Sequence, residues 1–266
     1  MRIAVFGGTG FVGTYLTTKL IEHNYKLSLL VRSEHLEKDR RSSDFKTTNG
    51  SINSVSAINH TLGNCDYVIY NIGILEEVPK LGITFQSIQF DGLKAVVDQS
   101  VKLGVKKFIL MSANGAKSVG TNYQVTKYNA EEYLKNSGLI YTILRPSVIF
   151  GDPQGKMEFI TQLYQELIIP PLPAANFFKG FLPIQGSVKM SPVHIDDVVE
   201  VFCLALKLNH TNNKTYNLGG PEILSWYEIL KCIAATTKKN KIFIPVPIVI
   251  MKLLMIKAVT FANILY

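Results

Sequence analysis

Hydrophobic runs alternate with amphipathic stretches through the first 150 residues. Apolar runs of four to six residues predict buried strands, and stretches whose apolar residues recur every three to four positions predict helices. The predicted strands are 3–6, 27–31, 66–71, 108–111 and 141–144, and the predicted helices cover about 11–21, 84–102 and 122–136. This alternation is typical of an α/β protein with a doubly wound parallel sheet, covered by helices on both faces.

The pattern changes after residue 150, where prolines become frequent. A helical period returns at 193–208, a short strand is predicted at 216–218, and a last amphipathic helix at 226–236. We therefore predict one large domain, 1–150, followed by a smaller C-terminal lobe on the substrate side, 151–266. Polar residues 34–49 predict a loop with a frayed helix.

The segment 242–266 is almost wholly apolar, interrupted by Pro245, Pro247, Lys252 and Lys257. Two lysines within it disfavour a membrane-spanning helix. An amphipathic helix that docks on the domain or on a membrane surface is the better interpretation. The sequence stops within this stretch, which is compatible with a longer natural chain. At the other end, the first residues of the sequence enter a strand directly, so no signal peptide is expected.

Three glycines, Gly7, Gly10 and Gly13, follow the first strand and open the first helix. In a G-x-x-G-x-x-G loop, one glycine permits the tight turn, one lets the backbone approach a pyrophosphate, and one lets helix pack on strand. The N–H groups and positive dipole end of the helix then face the phosphates. The loop predicts a Rossmann-type dinucleotide-binding domain.

The end of the second strand carries Arg32 and Ser33 where an acidic side chain would bind the 2′-hydroxyl of NAD. A guanidinium presents paired donors to phosphate oxygens, so this position favours the 2′-phosphate of NADP. A solvated surface arginine is the alternative. The sequence thus predicts NADP, in the form of NADPH, ahead of NAD.

Tyr123 and Lys127 are four residues apart at the start of a predicted helix, so their side chains leave the same face. An ammonium beside a phenol stabilises the phenolate and lowers the pKa of the tyrosine, which suits it to acid–base catalysis. The same ammonium could hold the ribose hydroxyls of the cofactor. The pair is therefore a candidate for hydride-transfer chemistry.

Composition and charge exclude several functions. Lys and Arg number 28 and Asp and Glu 20, a formal net charge of +8, but the positive residues are scattered, which argues against a nucleic-acid partner. The cysteines are too far apart for a zinc site or a redox pair, and a reducing, cytoplasmic compartment is expected. We predict no metal site, because the isolated histidines have no ligand-spaced neighbours; they are His23, His35, His60 and His210.

Five short segments of the sequence are informative together. They are Gly7-Gly8-Thr9-Gly10-Phe11-Val12-Gly13, Met111-Ser112-Ala113-Asn114-Gly115-Ala116, Leu144-Arg145-Pro146-Ser147-Val148-Ile149-Phe150-Gly151, Pro192-Val193-His194-Ile195-Asp196-Asp197-Val198 and Leu218-Gly219-Gly220-Pro221-Glu222. With these segments the chain resembles the atypical or extended short-chain dehydrogenases/reductases. Within that superfamily the chain is most similar to the group containing the short-chain-dehydrogenase-like accessory subunit of respiratory complex I and its bacterial relatives. The resemblance extends from Gly7 to about Pro247.

The resemblance also implies residue roles. Phe11 and Val12 would contact the pyrophosphate through their backbone, in the loop that also contains Thr9. Ser51 stands where the family usually has an acidic residue that contacts the adenine, and Ile52 is its neighbour. Ile72 and Gly73 would lie beside the ribose, and Pro146 and Val148 near the nicotinamide. Asn114 stands where the family has a catalytic serine or threonine. An amide also donates a hydrogen bond to a developing oxyanion, and Ser112 is a second candidate. Asp196 or Asp197 is expected to cap a helix rather than form a metal cluster with His194.

Two function classes stay open. The first is an accessory or assembly factor of a membrane respiratory or quinone-related complex, with weak or no catalysis, placed in the cytoplasm at the inner face of a membrane. The second is an NADP-dependent oxidoreductase or nucleotide-sugar epimerase/dehydratase that uses Tyr123 and Lys127. Apolar residues of the C-terminal lobe are compatible with a pocket for a quinone or isoprenoid tail, or with ordinary packing; they are 168–173, Phe177, Phe178 and Phe181.

Overall fold

The computed structural model describes residues 1–32, 45–178 and 188–247. The chain divides into two compact units, Met1–Pro146 with Ile195–Leu218, and Ser147–His194 with Gly219–Tyr266. The sequence-based division lies at residue 150, whereas in the structure 195–218 belongs to the first unit. The reason is strand pairing, since Lys214–Leu218 adds to the edge of the first unit's sheet.

The first unit is built on a parallel sheet of seven strands. Numbered in chain order through both units, these are β1 (Arg2–Phe6), β2 (Lys26–Val31), β3 (Phe45–Asn49), β4 (Tyr67–Tyr70), β5 (Lys107–Met111), β6 (Tyr141–Pro146) and β11 (Lys214–Leu218). Their order in the sheet is β11-β6-β5-β4-β1-β2-β3. The order reverses direction between β1 and β4, which is where a doubly wound sheet binds its ligands. The predicted Rossmann-type fold is confirmed.

Helices cover both faces of this sheet. They are α1 (Phe11–Glu22), α2 (Val55–Leu62), α3 (Gly92–Lys102), α4 (Asn122–Lys135) and α6 (Ile195–Lys207), with a π-helical turn at Gln86–Asp91 leading into α3. Alternate residues of a strand face opposite sides. Accordingly Ala4 and Phe6 share a core with Leu62, Val96 and Leu134 from α2, α3 and α4, while α1 and α6 pack together on the other side.

Two elements of the first unit were not expected from the sequence. The stretch 34–49 was predicted to be a loop with a frayed helix. Residues 45–49 instead form β3, which pairs in parallel with β2, so the prediction was wrong for these residues. Residues 33–44 lie outside the described part. β3 is an edge strand with mostly exposed polar side chains, so no apolar run marks it. Helix α2 is short, and the Ser54 side chain accepts a hydrogen bond from the Ala57 N–H at its start.

The second unit has its own small core. Its elements are β7 (Ile149–Phe150), α5 (Phe159–Leu163), β8 (Ala174–Phe178), β9 (Lys189–Met190), β10 (Val193–His194), β12 (Leu224–Ser225), α7 (Trp226–Thr236) and β13 (Phe243–Pro247). Trp226 is fully buried, its ring 5.3 Å from that of Phe177, and its indole N–H donates to the Ala175 carbonyl. Phe177 and Phe178 are therefore core residues; Phe181 lies outside the described residues.

The apolar C-terminal segment begins as a strand. Phe243–Pro247 forms β13, which pairs in parallel with β8. The helix predicted for 242–266 is therefore wrong over these residues, because two prolines within five residues disfavour a helix and are tolerated on a strand edge. Residues 248–266 lie outside the described part. Within the described ranges, every helix is too short or too polar to cross a bilayer.

Candidate functional site: a glycine loop and a buried lysine

The glycine loop lies between β1 and α1, at the point where the strand order of the first unit reverses. Gly7 has φ +94°, and a Cβ atom on it would lie 2.8 Å from the carbonyl carbon and oxygen of Asn71. A Cβ on Gly13 would lie 2.0 Å from the Gly7 carbonyl oxygen. Both positions therefore require glycine, the first for its backbone conformation and the second for the close packing of helix on loop.

Gly10 is different, because its backbone is extended and a Cβ on it would meet only the Gly7 oxygen, at 3.7 Å. It stands at the N-cap of α1, and among the described residues no side chain caps that end. The first N–H groups of a helix have no partner within the helix. The backbone of Phe11, Val12 and Gly13 therefore offers donors for an anion, and Thr9 lies half-buried in the turn before them.

A buried acceptor lies beside this loop. Asn71 follows β4, and its backbone N–H donates to the Phe6 carbonyl at 2.8 Å. Within the described residues its side-chain oxygen, Oδ1, is buried and has no hydrogen-bond partner. Buried polar atoms are normally satisfied. A cradle that excludes side chains, free helix N–H groups and an unsatisfied acceptor together fit a dinucleotide.

The residues predicted at the adenosine end follow β2 and β3. Arg32 is exposed at the end of β2, and Ser33 lies outside the described part. Ser51 is exposed and its hydroxyl accepts from the Asn53 N–H, whereas Ile52 is 7% exposed and packs in the core against Gly92. The roles given to Arg32, Ser51 and Ile52 stay predictions.

Lys127 is buried on α4, 4% exposed. Its Nζ donates to the Met111 carbonyl at 3.3 Å and lies 3.6 Å from where a Cβ on Gly73 would be. The structure thus brings Lys127 to Gly73, which follows β4 next to the half-buried Ile72. Burial lowers the pKa of Lys127 to about 8, and the nearby Glu131 carboxylate opposes that shift.

Tyr123 lies in the first turn of α4, which starts with a capping box between Thr121 and Gln124. Its ring packs edge-on against Phe85, with centroids 5.4 Å apart. Burial raises the pKa of Tyr123 to about 12. The lowered pKa expected from the neighbouring Lys127 was therefore wrong for this structure, because desolvation of the phenolate dominates.

The two candidates for the missing catalytic hydroxyl differ in what they contact. Ser112 is buried at the end of β5, and its hydroxyl donates to the Glu131 carboxylate. Asn114 is exposed, and its backbone N–H donates to the Pro146 carbonyl at 2.9 Å. Ser112 is thus engaged in the protein interior, and Asn114 stays the candidate at this position.

An acidic residue missed by the sequence argument lies beside this group. Glu131 has no exposed surface, and Arg145 donates to both of its oxygens, from Nε at 2.8 Å and from Nη2 at 2.5 Å. The signal was the spacing, since Glu131 follows Lys127 by four residues, one helical turn.

The remaining predicted residues belong to different units. Pro146 ends β6 in the first unit and is buried, whereas Val148 lies in the core of the second unit with Phe159 and Trp226. Asp196 and Asp197 lie in the first turn of α6, where the positive end of the helix dipole stabilises their carboxylates. In residues 1–32, 45–178 and 188–247, no three His, Cys, Asp or Glu side chains form a group that could hold a metal ion.

Comparison with known proteins agrees with this geometry. The profile of a family described as NAD(P)H-binding matches residues 7–166. The chain is 23% identical over 254 residues to the 40 kDa subunit of mitochondrial NADH-ubiquinone oxidoreductase from Neurospora crassa, covering 93% of this chain and 63% of that protein. It is 23% identical over 253 residues to the photosystem II assembly factor Ycf39 of Synechocystis, covering 95% and 72% of the two chains.

A solved structure with the same fold is UDP-glucose 4-epimerase of Thermus thermophilus in complex with NAD, with a TM-score of 0.72, 19% identity, and coverage of 93% of this chain and 86% of that one. This chain spans about three fifths of the length of the Neurospora relative. The resemblance to atypical short-chain dehydrogenases and to complex I accessory subunits is confirmed. Since the matched profile covers more than half of its residues, the chain belongs to the NAD(P)H-binding family of Rossmann-fold proteins.

Proposed function

We propose that this protein is an accessory or assembly factor of a membrane respiratory or quinone-related complex, in which the bound dinucleotide stabilises the fold and turnover is weak or absent. The observation that carries the proposal is the engagement of Ser112 by Glu131, with Asn114 at the position of the family's catalytic hydroxyl. A phenol with a pKa near 12 is also a weak proton donor at neutral pH. The relatives named as a complex I subunit and an assembly factor support the same function.

The partners we propose are the dinucleotide and a membrane complex, with a quinone or isoprenoid as a further ligand of the second unit. No nucleic acid is included, because the positive charge is scattered along the chain. The proposed location is the cytoplasm, peripheral at the inner face of a membrane. Exposed apolar residues and lysines of the second unit suit that location, among them Leu172, Lys239 and Ile242.

The second candidate function is an NADP-dependent oxidoreductase or nucleotide-sugar epimerase/dehydratase. The position of Lys127 favours it, since its buried Nζ lies beside Gly73, one helical turn from Tyr123. In that function Lys127 would hold the ribose and Tyr123 would move a proton to or from the substrate oxygen, while the nicotinamide supplies hydride chemistry.

Tyr123→Phe distinguishes the two functions. In the accessory function we expect NADPH affinity, NADPH consumption and assembly of the membrane complex to match the unchanged protein, because only a hydroxyl is removed from a packed ring. Titration calorimetry and complex assembly in cells measure these effects. Tyr128→Phe, on the same helix, is the matched control. A dehydrogenase or epimerase would instead lose about 10²–10⁴-fold of its turnover in Tyr123→Phe alone, and that result would reject the accessory proposal.

Arg32 tests the preference for NADP. We expect NADPH to bind more tightly than NADH, and Arg32→Asp to weaken NADPH by about 1.5–3 kcal/mol, the range for a hydrogen bond to a charged group. NADH, which lacks the 2′-phosphate, should be little affected. Lys26→Asp makes the same charge change at the opposite, exposed end of β2 and serves as the control. Equal affinities for NADPH and NADH by calorimetry would remove Arg32 from the site.

A further inference from the structure

Glu131 is a buried carboxylate whose only part in the proposed function is to engage Ser112. It lies one turn after Lys127 on α4 and has no exposed surface. A buried charge is costly unless it is paired and hydrogen-bonded. Glu131 is both, since it accepts from Ser112 at the end of β5 and from Arg145 on β6.

These contacts attach α4 to the sheet where the predicted cofactor residues lie. Lys127 donates to the carbonyl of Met111, and the next residue along the chain, Ser112, donates to Glu131. Two successive turns of α4, at Lys127 and at Glu131, are thus hydrogen-bonded to adjacent residues at the end of β5. Arg145 extends the connection to β6, one residue before Pro146.

We propose that Glu131 is a positioning residue of the dinucleotide site, which holds Lys127 beside Gly73 and places its negative charge one helical turn from the Lys127 side chain. This inference rests on the proposed role of Lys127 in binding the ribose. Glu131 acts through Lys127 and is given no contact with the dinucleotide.

The charges around Lys127 determine the sign of each test. Burial lowers the pKa of Lys127 to about 8, and the Glu131 carboxylate raises it again. Arg145 is paired with that carboxylate and partly compensates its negative charge, and Lys135, 3.9 Å from it, adds a weaker and more exposed positive charge. Tyr123, one turn earlier on α4, is neutral at pH 8 because burial raises its pKa to about 12. The charge of Lys127 near pH 8 therefore depends on the balance between Glu131 and Arg145.

The experiment measures NADPH affinity by calorimetry from pH 6.5 to 9.5. In the unchanged protein, affinity should fall with a midpoint near pH 8, as Lys127 loses its proton. Glu131→Gln removes the negative charge, so the midpoint should move down by about one pH unit or more. Arg145→Met removes the compensating positive charge, so the midpoint should move up. Lys127→Arg, which stays charged throughout, should remove the pH dependence.

A purely structural Glu131 would give a different pattern. Both Glu131→Gln and Arg145→Met would then lower affinity at every pH with an unchanged midpoint, and that outcome overturns the proposal, as does a midpoint that moves in the same direction in both variants. If Glu131→Gln does not fold, Arg145→Met decides alone, and a midpoint that is unchanged or lowered overturns the proposal. Failure of the unchanged protein to bind NADPH would instead reject the proposed function on which it rests.

Discussion

Arg145→Met is expected to lower the free energy of unfolding by about 3–5 kcal/mol, the cost of leaving a buried charge without its partner. Glu131 is fully buried, and both of its oxygens accept from the Arg145 guanidinium. After the substitution, the contacts left to the carboxylate among the described residues would be the Ser112 hydroxyl and the more distant Lys135 ammonium, 3.9 Å away, with the Lys127 ammonium one turn earlier on α4. Urea denaturation followed by circular dichroism measures the change.

Two further variants separate the ion pair from side-chain packing. Lys135→Met removes a half-exposed cation from the same carboxylate and should cost less than about 1 kcal/mol. Replacing both partners, Glu131→Leu with Arg145→Met, should recover most of the loss, because an apolar pair of similar volume leaves no buried charge. If Arg145→Met alone lowers the free energy of unfolding by less than about 1 kcal/mol, the ion pair with Arg145 is not what stabilises the buried Glu131 carboxylate.

Gly10→Val should strongly weaken dinucleotide binding while leaving the fold in place. A Cβ on Gly10 meets only one atom within 4 Å, at 3.7 Å, and the extended backbone there accepts a side chain. The valine would instead occupy the space in front of the free N–H groups of α1. Loss of two hydrogen bonds to a charged phosphate, at about 1.5–3 kcal/mol each, predicts a loss of NADPH affinity of at least a hundredfold.

Thermal unfolding with and without NADPH measures this effect. At a hundredfold excess over Kd, a ligand of the native state adds about 2.7 kcal/mol of stability, and this gain should disappear in Gly10→Val. Gly13→Ala is the contrasting variant, because its Cβ would lie 2.0 Å from the Gly7 oxygen and should destabilise the protein even without NADPH. A Gly10→Val protein that NADPH still stabilises to the full extent would contradict the assignment of the loop.

The parts of the fold that could be predicted from the sequence are those whose signal is local. β1, the glycine loop and α1 are adjacent in sequence, and each has its own pattern of apolar residues or glycines. β3 could not be predicted, because its polar side chains lie on an exposed edge and its pairing with β2 is a tertiary contact. The same applies to β13, where an apolar composition suggested a helix and pairing with β8 produces a strand.

The sequence predicted which residues lie in the candidate site better than it predicted their pKa values and charged partners. The spacing of Tyr123 and Lys127 placed both on α4, and the structure brings Lys127 to Gly73. The pKa of Tyr123 was predicted in the wrong direction, because the sequence does not show that the tyrosine is buried with its ring edge-on against Phe85. Glu131 was missed because its partners, Ser112 and Arg145, come from two other elements.

The return of residues 195–218 to the first unit affects how the protein folds during its synthesis. Lys107, on β5, is buried and donates from Nζ to the Ala205 carbonyl and the Thr211 hydroxyl, and β6 gains its outer neighbour only from β11. When the nascent chain has emerged only as far as residue 150, it therefore contains the entire glycine loop. At that stage Lys107 has no acceptors, and the sheet has an open edge at β6. The nucleotide-binding unit can be completed only after the ribosome has released β11, about seventy residues later, and until then β6 is exposed to pairing with other chains.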